Sequence, residues 1–313
     1  MRQEVNKASS MRTNQQTIGS LERRAFAFLM KADRIFLFRK TFVALAMVLA
    51  VSGLAFAQRP VNSRNQASRN SSKAVAASSA IVGTRTIVGE TKPLGDGQVR
   101  SWVKLDQNGN PTAIGLTFNE EALSGLPKEP PAGMEGTELS LNLPAEAKAT
   151  AFKHIMLNYN PHGHPPEKIF DVPHFDFHFY TITEEERARI TVQGEDVARS
   201  NKQPAAEFVP EGYVSVPNSA IPRMGAHWIN PLSGEFHGQP FTRSFLYGSY
   251  NGHLIFGEPM ITKAFLETKP NVTELIKLPA KYERSAYYPT KYSVRYDPAT
   301  KEYTIALEGM TPR

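Results

Sequence analysis

Short runs in which apolar and polar residues alternate follow one another from about residue 83 to the end of the chain. Such alternation predicts β-strands with one buried face, because successive side chains of a strand point to opposite sides. Asn251-Gly252 separates the runs SFLYGSY and HLIFGEPMIT, and residues 297–300 separate KYSVRY from KEYTIALE. Both arrangements predict β-hairpins, and Asn-Gly is the preferred type I′ turn.

Helix signals are confined to two short stretches, one beginning at Asn119 and one at TEEERARI, residues 183–190. Strands do not alternate with longer helices, so the pattern is not that of a parallel α/β fold. The chain is therefore predicted to be mainly β, an antiparallel barrel or sandwich with a few short helices.

The strictest alternation occurs in HFDFHFY, which is predicted to be a strand over residues 174–180. One face would carry only phenylalanine and suits a hydrophobic core. The opposite face would carry His174, Asp176, His178 and Tyr180. A polar face of this composition indicates a metal site.

The beginning of the chain has the pattern of a signal peptide over residues 1–57. Arg39-Lys40 precedes an apolar run that ends in the cleavage motif Ala55-Phe56-Ala57, and the true start can be Met30. This run is short for a membrane span, and no cysteine follows it for lipid attachment. We expect an exported protein, periplasmic or extracellular, without a stable membrane span after cleavage.

Composition divides the remainder into two parts. Residues 58–80 contain few large apolar side chains and are predicted to be a disordered linker, which leaves residues 81–313 as a single β-rich domain. The formal net charge of +6 arises from the first two segments, because residues 81–313 contain 23 basic and 27 acidic side chains. This distribution argues against a nucleic-acid partner.

The chain contains no cysteine, so a metal site would have to use His, Asp, Glu or Tyr. Four of the eight histidines lie between Asn160 and Tyr180. His162-Gly163-His164, taken as extended backbone, would present both rings to one side, and a loop would bring them beside His174 or His178. The metal-ligand candidates are His162, His164, His174, His178 and His227.

Strand geometry leaves the ligand set open, since His174 and His178 would lie about 13 Å apart along a strand. One of them would bind the metal and the other would support it, or there would be two sites. Asp176, Glu167 and Glu258 are the candidate proton shuttles or supporting carboxylates. A divalent metal is expected, with zinc first and Fe, Mn, Cu or Ni as alternatives.

Two known families have similar motifs. Cupin barrels carry His-x-His with a following Glu and later Pro-x-Gly, His and Asn, which resembles His162, His164, Glu167 and His227 in order and type but with different spacing. The resemblance implies that these four residues are ligands. The α-type carbonic anhydrases bind zinc with His-x-His on one strand and a third His on its neighbour.

Residues 140–270 more closely resemble a group of secreted bacterial proteins of unknown function. The resemblance rests on HGH at 162–164, PHFDFHFY at 173–180, MGAHW at 224–228 and the GSY hairpin leading to EPMIT at 258–262. It implies one β-rich domain in which these motifs form one site, and it implies no activity.

Three functions remain open on the sequence. The first is an enzyme with one metal ion, a hydrolase or lyase, in which the metal activates water. The second is a non-catalytic metal-binding or structural envelope protein. The third is a metal-free binding module that uses Trp228, Tyr247 and Tyr250 to hold a partner or glycan. The sequence leaves a small-molecule ligand open and does not define the oligomeric state.

Overall fold

A computed structural model describes residues 83–134, 136–215 and 219–313. The predicted signal peptide, residues 1–57, and the predicted linker, residues 58–80, lie outside the described residues. Within the described ranges the strands are β1 Arg85–Leu94, β2 Gly97–Leu105, β3 Pro111–Asn119, β4 Leu139–Asn142, β5 His154–Asn160, β6 His174–Tyr180, β7 Val214–Ser215, β8 Ala226–Ile229, β9 Arg243–Tyr250, β10 His253–Thr262, β11 Asn271–Leu275, β12 Tyr287–Tyr288, β13 Lys291–Asp297, β14 Glu302–Glu308 and β15 Thr311–Pro312.

Helices are short in the described part of the chain. The α-helices span Glu184–Ala188, Asp196–Asn201 and Lys263–Glu267. Single 3₁₀ turns occupy Glu120–Leu123, Ala145–Ala149, Ala206–Phe208 and Gly234–His237. None of the described helices has the length and apolar character needed to cross a membrane.

The strands form two large antiparallel sheets and one small one. The first has the order β1-β2-β3-β14-β13-β11, the second has the order β4-β5-β6-β10-β9-β8-β7, and β12 pairs with β15. The prediction of a mainly β, antiparallel protein with a few short helices is confirmed. The sheets do not close into a barrel, and the arrangement is that of a sandwich.

The main hydrophobic core lies between the two large sheets. Residues from both sheets contribute to it, including Val103 and Ile305 from the first sheet and Ile155, Phe177 and Ile261 from the second. All five are fully buried. Sheet packing therefore fixes one face of β5, β6 and β10 as the core face, and their alternate residues must point away from the core.

Both predicted hairpins are confirmed. Asn251 and Gly252 have φ angles of 51° and 85°, the left-handed values that a type I′ turn requires, and β9 pairs with β10 across them. β13 pairs with β14 from Lys291↔Glu308 to Asp297↔Glu302.

The two predicted helix starts differ in outcome. Thr183 and Glu186 form a reciprocal capping box at the start of the helix Glu184–Ala188. The helix predicted after Asn119 is only a 3₁₀ turn, and the Asn119 side chain does not cap it. Instead, Asn119 Oδ1 accepts a hydrogen bond from the backbone N–H of Gln98 on β2.

Candidate metal centre

β6 lies inside its sheet, paired with β5 on one side and with β10 on the other. Its phenylalanines, Phe175, Phe177 and Phe179, belong to the core between the sheets and are fully buried. The alternate side chains therefore lie on the outer face, as the sequence predicted. That face is also covered, because a second cluster of buried apolar residues packs there: Met156, Tyr180, Ile190, Ile255 and Phe256.

Six donor side chains on this covered face fall into two groups of three. Within the described ranges 83–134, 136–215 and 219–313, these are the groups whose His or carboxylate atoms lie within 4.8 Å of one another. We call them the Glu258 group and the Asp176 group. The Glu258 group consists of His178, His227 and Glu258. The Asp176 group consists of His164, His174 and Asp176.

The Glu258 group combines three strands. The pairing of β10 with β6 runs from Gly257↔Phe179 to Met260↔Asp176, which places Glu258 opposite His178. His178 Nε2 lies 3.2 Å from Glu258 Oε1, and His227 Nε2, from β8, lies 3.7 Å from Glu258 Oε2. His178 and Glu258 are 1% exposed. Neither ring nitrogen of His178, nor Oε2 of Glu258, has a hydrogen-bond partner among the described residues.

Gly248 on β9 has no side chain, which leaves space for His178, His227 and Glu258 to approach one another. It pairs with His227 on β8 and with Phe256 on β10. A Cβ atom at Gly248 would lie 2.0 Å from the ring of Phe256. That ring packs edge-on against both His178 and His227, with centroid distances of 4.7 and 5.4 Å. The absence of a side chain at Gly248 therefore leaves space for the Phe256 ring, which contacts both imidazoles.

Burial governs the protonation of the Glu258 group. It lowers the pKa of His178 to about 3 and that of His227 to about 4. It also raises the pKa of the Glu258 carboxyl well above its usual range, and the negative charge of Asp176 adds to this effect. Without a metal ion, burial therefore keeps both imidazoles uncharged near neutral pH and favours the protonated form of the Glu258 carboxyl.

The Asp176 group lies two residues away along the same strand. His174 Nε2 is 3.1 Å from Asp176 Oδ1, and His164 Nε2 is 3.5 Å from Asp176 Oδ2. Asn160 on β5 pairs with His174, and its amide Nδ2 donates to Asp176 Oδ2 at 2.6 Å. Burial alone would raise the pKa of Asp176, but His174 and His164 hold it well below its usual range. The pKa values of the two carboxyls are therefore shifted in opposite directions, that of Asp176 downwards and that of Glu258 upwards.

The loop before β6 separates the two residues of the predicted His-x-His pair. Gly163 has φ of 73°, and a Cβ there would lie 2.1 Å from the carbonyl oxygen of Phe170. The segment is thus not extended, and the expectation that both rings face one side does not hold. His164 reaches Asp176, whereas the exposed His162 lies 2.9 Å from Glu129. Glu167 is exposed and belongs to neither group.

The structure thus brings together four of the five predicted histidines and two of the three predicted carboxylates, but in two groups rather than one. His174 and His178 belong to different groups, as their spacing along a strand requires. Sequence reasoning missed Asn160 and Gly248. The polar residue at the end of the apolar run HIMLNYN, directly before the histidine-rich segment, was the available signal for Asn160.

The aromatic residues proposed for a metal-free binding surface have internal partners. Trp228 is 6% exposed, and its indole N–H donates to Ser249 Oγ at 2.7 Å. Tyr247 donates its hydroxyl to the carbonyl of Lys277 at 2.7 Å, and Tyr250 donates to Asp196. These contacts give the polar atoms of all three side chains a role within the fold.

Comparison with known proteins gives one match. A family model described as "TTHB210-like: Hypothetical protein TTHB210" matches residues 106–159. The match supports an uncharacterised family, and it ends before the first of the six donor residues. No curated protein and no solved structure matches the chain.

Proposed function

We propose that the protein binds a divalent transition-metal ion in the Glu258 group. The observation that carries this proposal is that His178 and Glu258 are buried with polar atoms that find no hydrogen-bond partner among the described residues. A buried polar group without a partner costs about 1–3 kcal/mol, so native structures rarely retain one without a reason. A metal ion between the three side chains would supply the missing partner.

Zinc is the first candidate for this ion. Two imidazoles and one carboxylate are ligands that zinc accepts, and the chain offers no thiolate. Iron, manganese, copper and nickel also bind such ligands. Because burial raises the pKa of the Glu258 carboxyl, a proton would compete with the metal for this ligand, and metal affinity would fall as the pH is lowered.

The test is metal analysis of protein expressed in metal-replete medium and purified without an affinity tag. We expect about one equivalent of metal in the Glu258 group, lost on Glu258→Gln, which keeps the shape and removes the anionic ligand. His162→Ala is the matched control, because His162 is exposed and lies outside both groups. Wild-type protein without metal, with a melting temperature that chelator leaves unchanged, would refute the proposal.

Metal-assisted hydrolysis is a second candidate function. Three protein ligands leave the fourth position of tetrahedral zinc open for water, which is the pattern of catalytic rather than structural sites. The partial exposure of the His227 side chain, 20%, provides a side from which a substrate can approach. Zinc-loaded protein should then cleave activated esters or phosphoesters, and Glu258→Gln should lose that activity together with the metal. A metal-loaded protein inert towards both would favour the non-catalytic function.

We also propose that the protein is exported, to the periplasm or the cell exterior, after removal of residues 1–57. The support is the apolar run and the Ala55-Phe56-Ala57 motif. Sequencing the amino terminus of the protein recovered from the periplasm or the medium tests this, with Gln58 as the expected first residue. Recovery of an uncleaved protein from the cytoplasm would contradict it.

A further inference from the structure

The Asp176 group contains imidazoles whose orientation is fixed by the backbone. His164 Nδ1 lies 2.8 Å from the carbonyl oxygen of Pro165, and His174 Nδ1 lies 2.7 Å from that of Val172. A carbonyl oxygen only accepts, so each Nδ1 carries a proton and donates it. Both Nε2 atoms are therefore directed at the carboxylate of Asp176. This is the arrangement in which proteins present histidine to a metal, since the hydrogen bond at one nitrogen orients the other.

The same geometry is unfavourable without a positive partner. Asn160 Nδ2 lies 3.2 Å from His174 Nε2, so the amide group of Asn160 reaches both the imidazole and the carboxylate. Asp176 Oδ1, 3.1 Å from His174 Nε2, is buried and has no hydrogen-bond partner in the described part of the chain. A buried carboxylate oxygen thus lies beside a histidine nitrogen without a hydrogen bond between them, and a metal ion bound to both atoms would give that oxygen a partner.

We propose that His164, His174 and Asp176 form a second divalent-metal site, separate from the one in the Glu258 group. The ion would lie between the two Nε2 atoms and the Asp176 carboxylate, where the Asn160 amide group now bonds. Asn160 would turn its amide, so that Nδ2 no longer bonds Asp176. The proposal goes beyond the proposed function, because it adds an ion at residues that the Glu258 group does not use.

The two sites are independent single-ion sites and do not form a bridged pair. Asp176 and His178 are two residues apart on β6, which corresponds to about 6.6 Å. Ions that share a bridging ligand in two-metal enzymes lie about 3.5–4 Å apart. Each group has its own carboxylate, Asp176 in one and Glu258 in the other, and neither carboxylate belongs to both groups. Removing one group should therefore leave the other able to bind.

Equilibrium dialysis of the full chain against Zn²⁺ tests the inference by stoichiometry. We expect two ions per chain in the wild type, one in His164→Ala, one in Glu258→Gln and none in the double variant. His164 is partly exposed, so His164→Ala should fold, and Asp176→Asn provides a second variant of the same group. His162→Ala, on the same loop but outside the group, is the control and should retain two ions.

Co²⁺ substitution gives an independent readout, because the visible absorption of bound Co²⁺ reports the ligands of each site. The Co²⁺ spectra of His164→Ala and Glu258→Gln should add up to that of the wild type. If the wild type binds one ion per chain, and this ion is lost in Glu258→Gln but kept in His164→Ala, this inference is overturned and the proposed function remains intact. Two ions that both survive His164→Ala would overturn it as well. An absence of bound ions would refute both proposals.

Discussion

Replacing His178 by phenylalanine tests whether burial keeps this imidazole uncharged. The substitution retains a planar ring against Phe256 and removes the titrating group. Both proteins compared should carry Glu258→Gln, so that the neighbouring carboxyl does not contribute, and chelator should be present throughout. The quantity compared is the change in the free energy of unfolding between pH 7.5 and 4.5.

The magnitude follows from the pKa of His178, which burial lowers from 6.5 to about 3. Between these values the unfolded chain binds a proton that the folded chain does not. Stability from this group is therefore complete above pH 6.5 and is lost as the pH falls towards 3. At about 1.36 kcal/mol per pKa unit, the loss between pH 7.5 and 4.5 amounts to roughly 2–3 kcal/mol.

Urea denaturation followed by circular dichroism at pH 7.5, 6.5, 5.5 and 4.5 measures this loss. The protein with His178 should lose roughly 2–3 kcal/mol more than the His178→Phe protein over the series. At pH 7.5 the phenylalanine protein should also be at least as stable, because it no longer buries two unpartnered nitrogens. Parallel pH profiles for the two proteins would refute the assignment of a buried, uncharged imidazole.

Three further outcomes are expected. Gly248→Ala should lower the free energy of unfolding by about 1–3 kcal/mol and weaken metal binding, because the new methyl group displaces the Phe256 ring. A competition titration that gives the variant the same Zn²⁺ affinity as the wild type would contradict this. Phe177→Ala should lower the free energy of unfolding, measured by urea denaturation, by about 3–5 kcal/mol. It should leave the metal stoichiometry unchanged, because the Phe177 side chain faces the core. Asp196→Asn should lower the free energy of unfolding by about 1–3 kcal/mol at pH 7. Burial would raise the pKa of Asp196, but hydrogen bonds, foremost the one from Tyr250, hold this pKa below its usual range. The stability that the ionised carboxylate contributes is therefore present above about pH 4 and is lost in acid. An equal cost at pH 7 and pH 3 would count against that cause.

Local patterns were sufficient to predict much of this structure. The alternation in HFDFHFY determined which side of β6 meets the core, because no other face could bury Phe175, Phe177 and Phe179 together. Asn251-Gly252 predicted its hairpin because few other pairs adopt two left-handed conformations in succession. Glu258 was recognised as a candidate because it follows the Asn-Gly turn and directly precedes a proline.

The grouping of the donor residues depends on contacts that are distant in sequence. His227 meets Glu258 because β8 lies two strands from β10 and Gly248 lies between them, and strand order is not encoded in either local pattern. The separation of His162 from His164 depends on the left-handed backbone at Gly163, where the carbonyl oxygen of Phe170 leaves no space for a side chain. A glycine permits that conformation without specifying it, so the sequence left both residues as candidates.

The strict alternation along β6 also limits how this protein can change. Deleting or inserting one residue within Phe175–Phe179 would turn the rings of part of the strand outward and send imidazole or carboxylate into the space between the sheets. The core side chains and the donor side chains of β6 thus alternate within the same seven positions. A single substitution can change one of these two sets of side chains, whereas a change in the length of this strand would displace both sets at once.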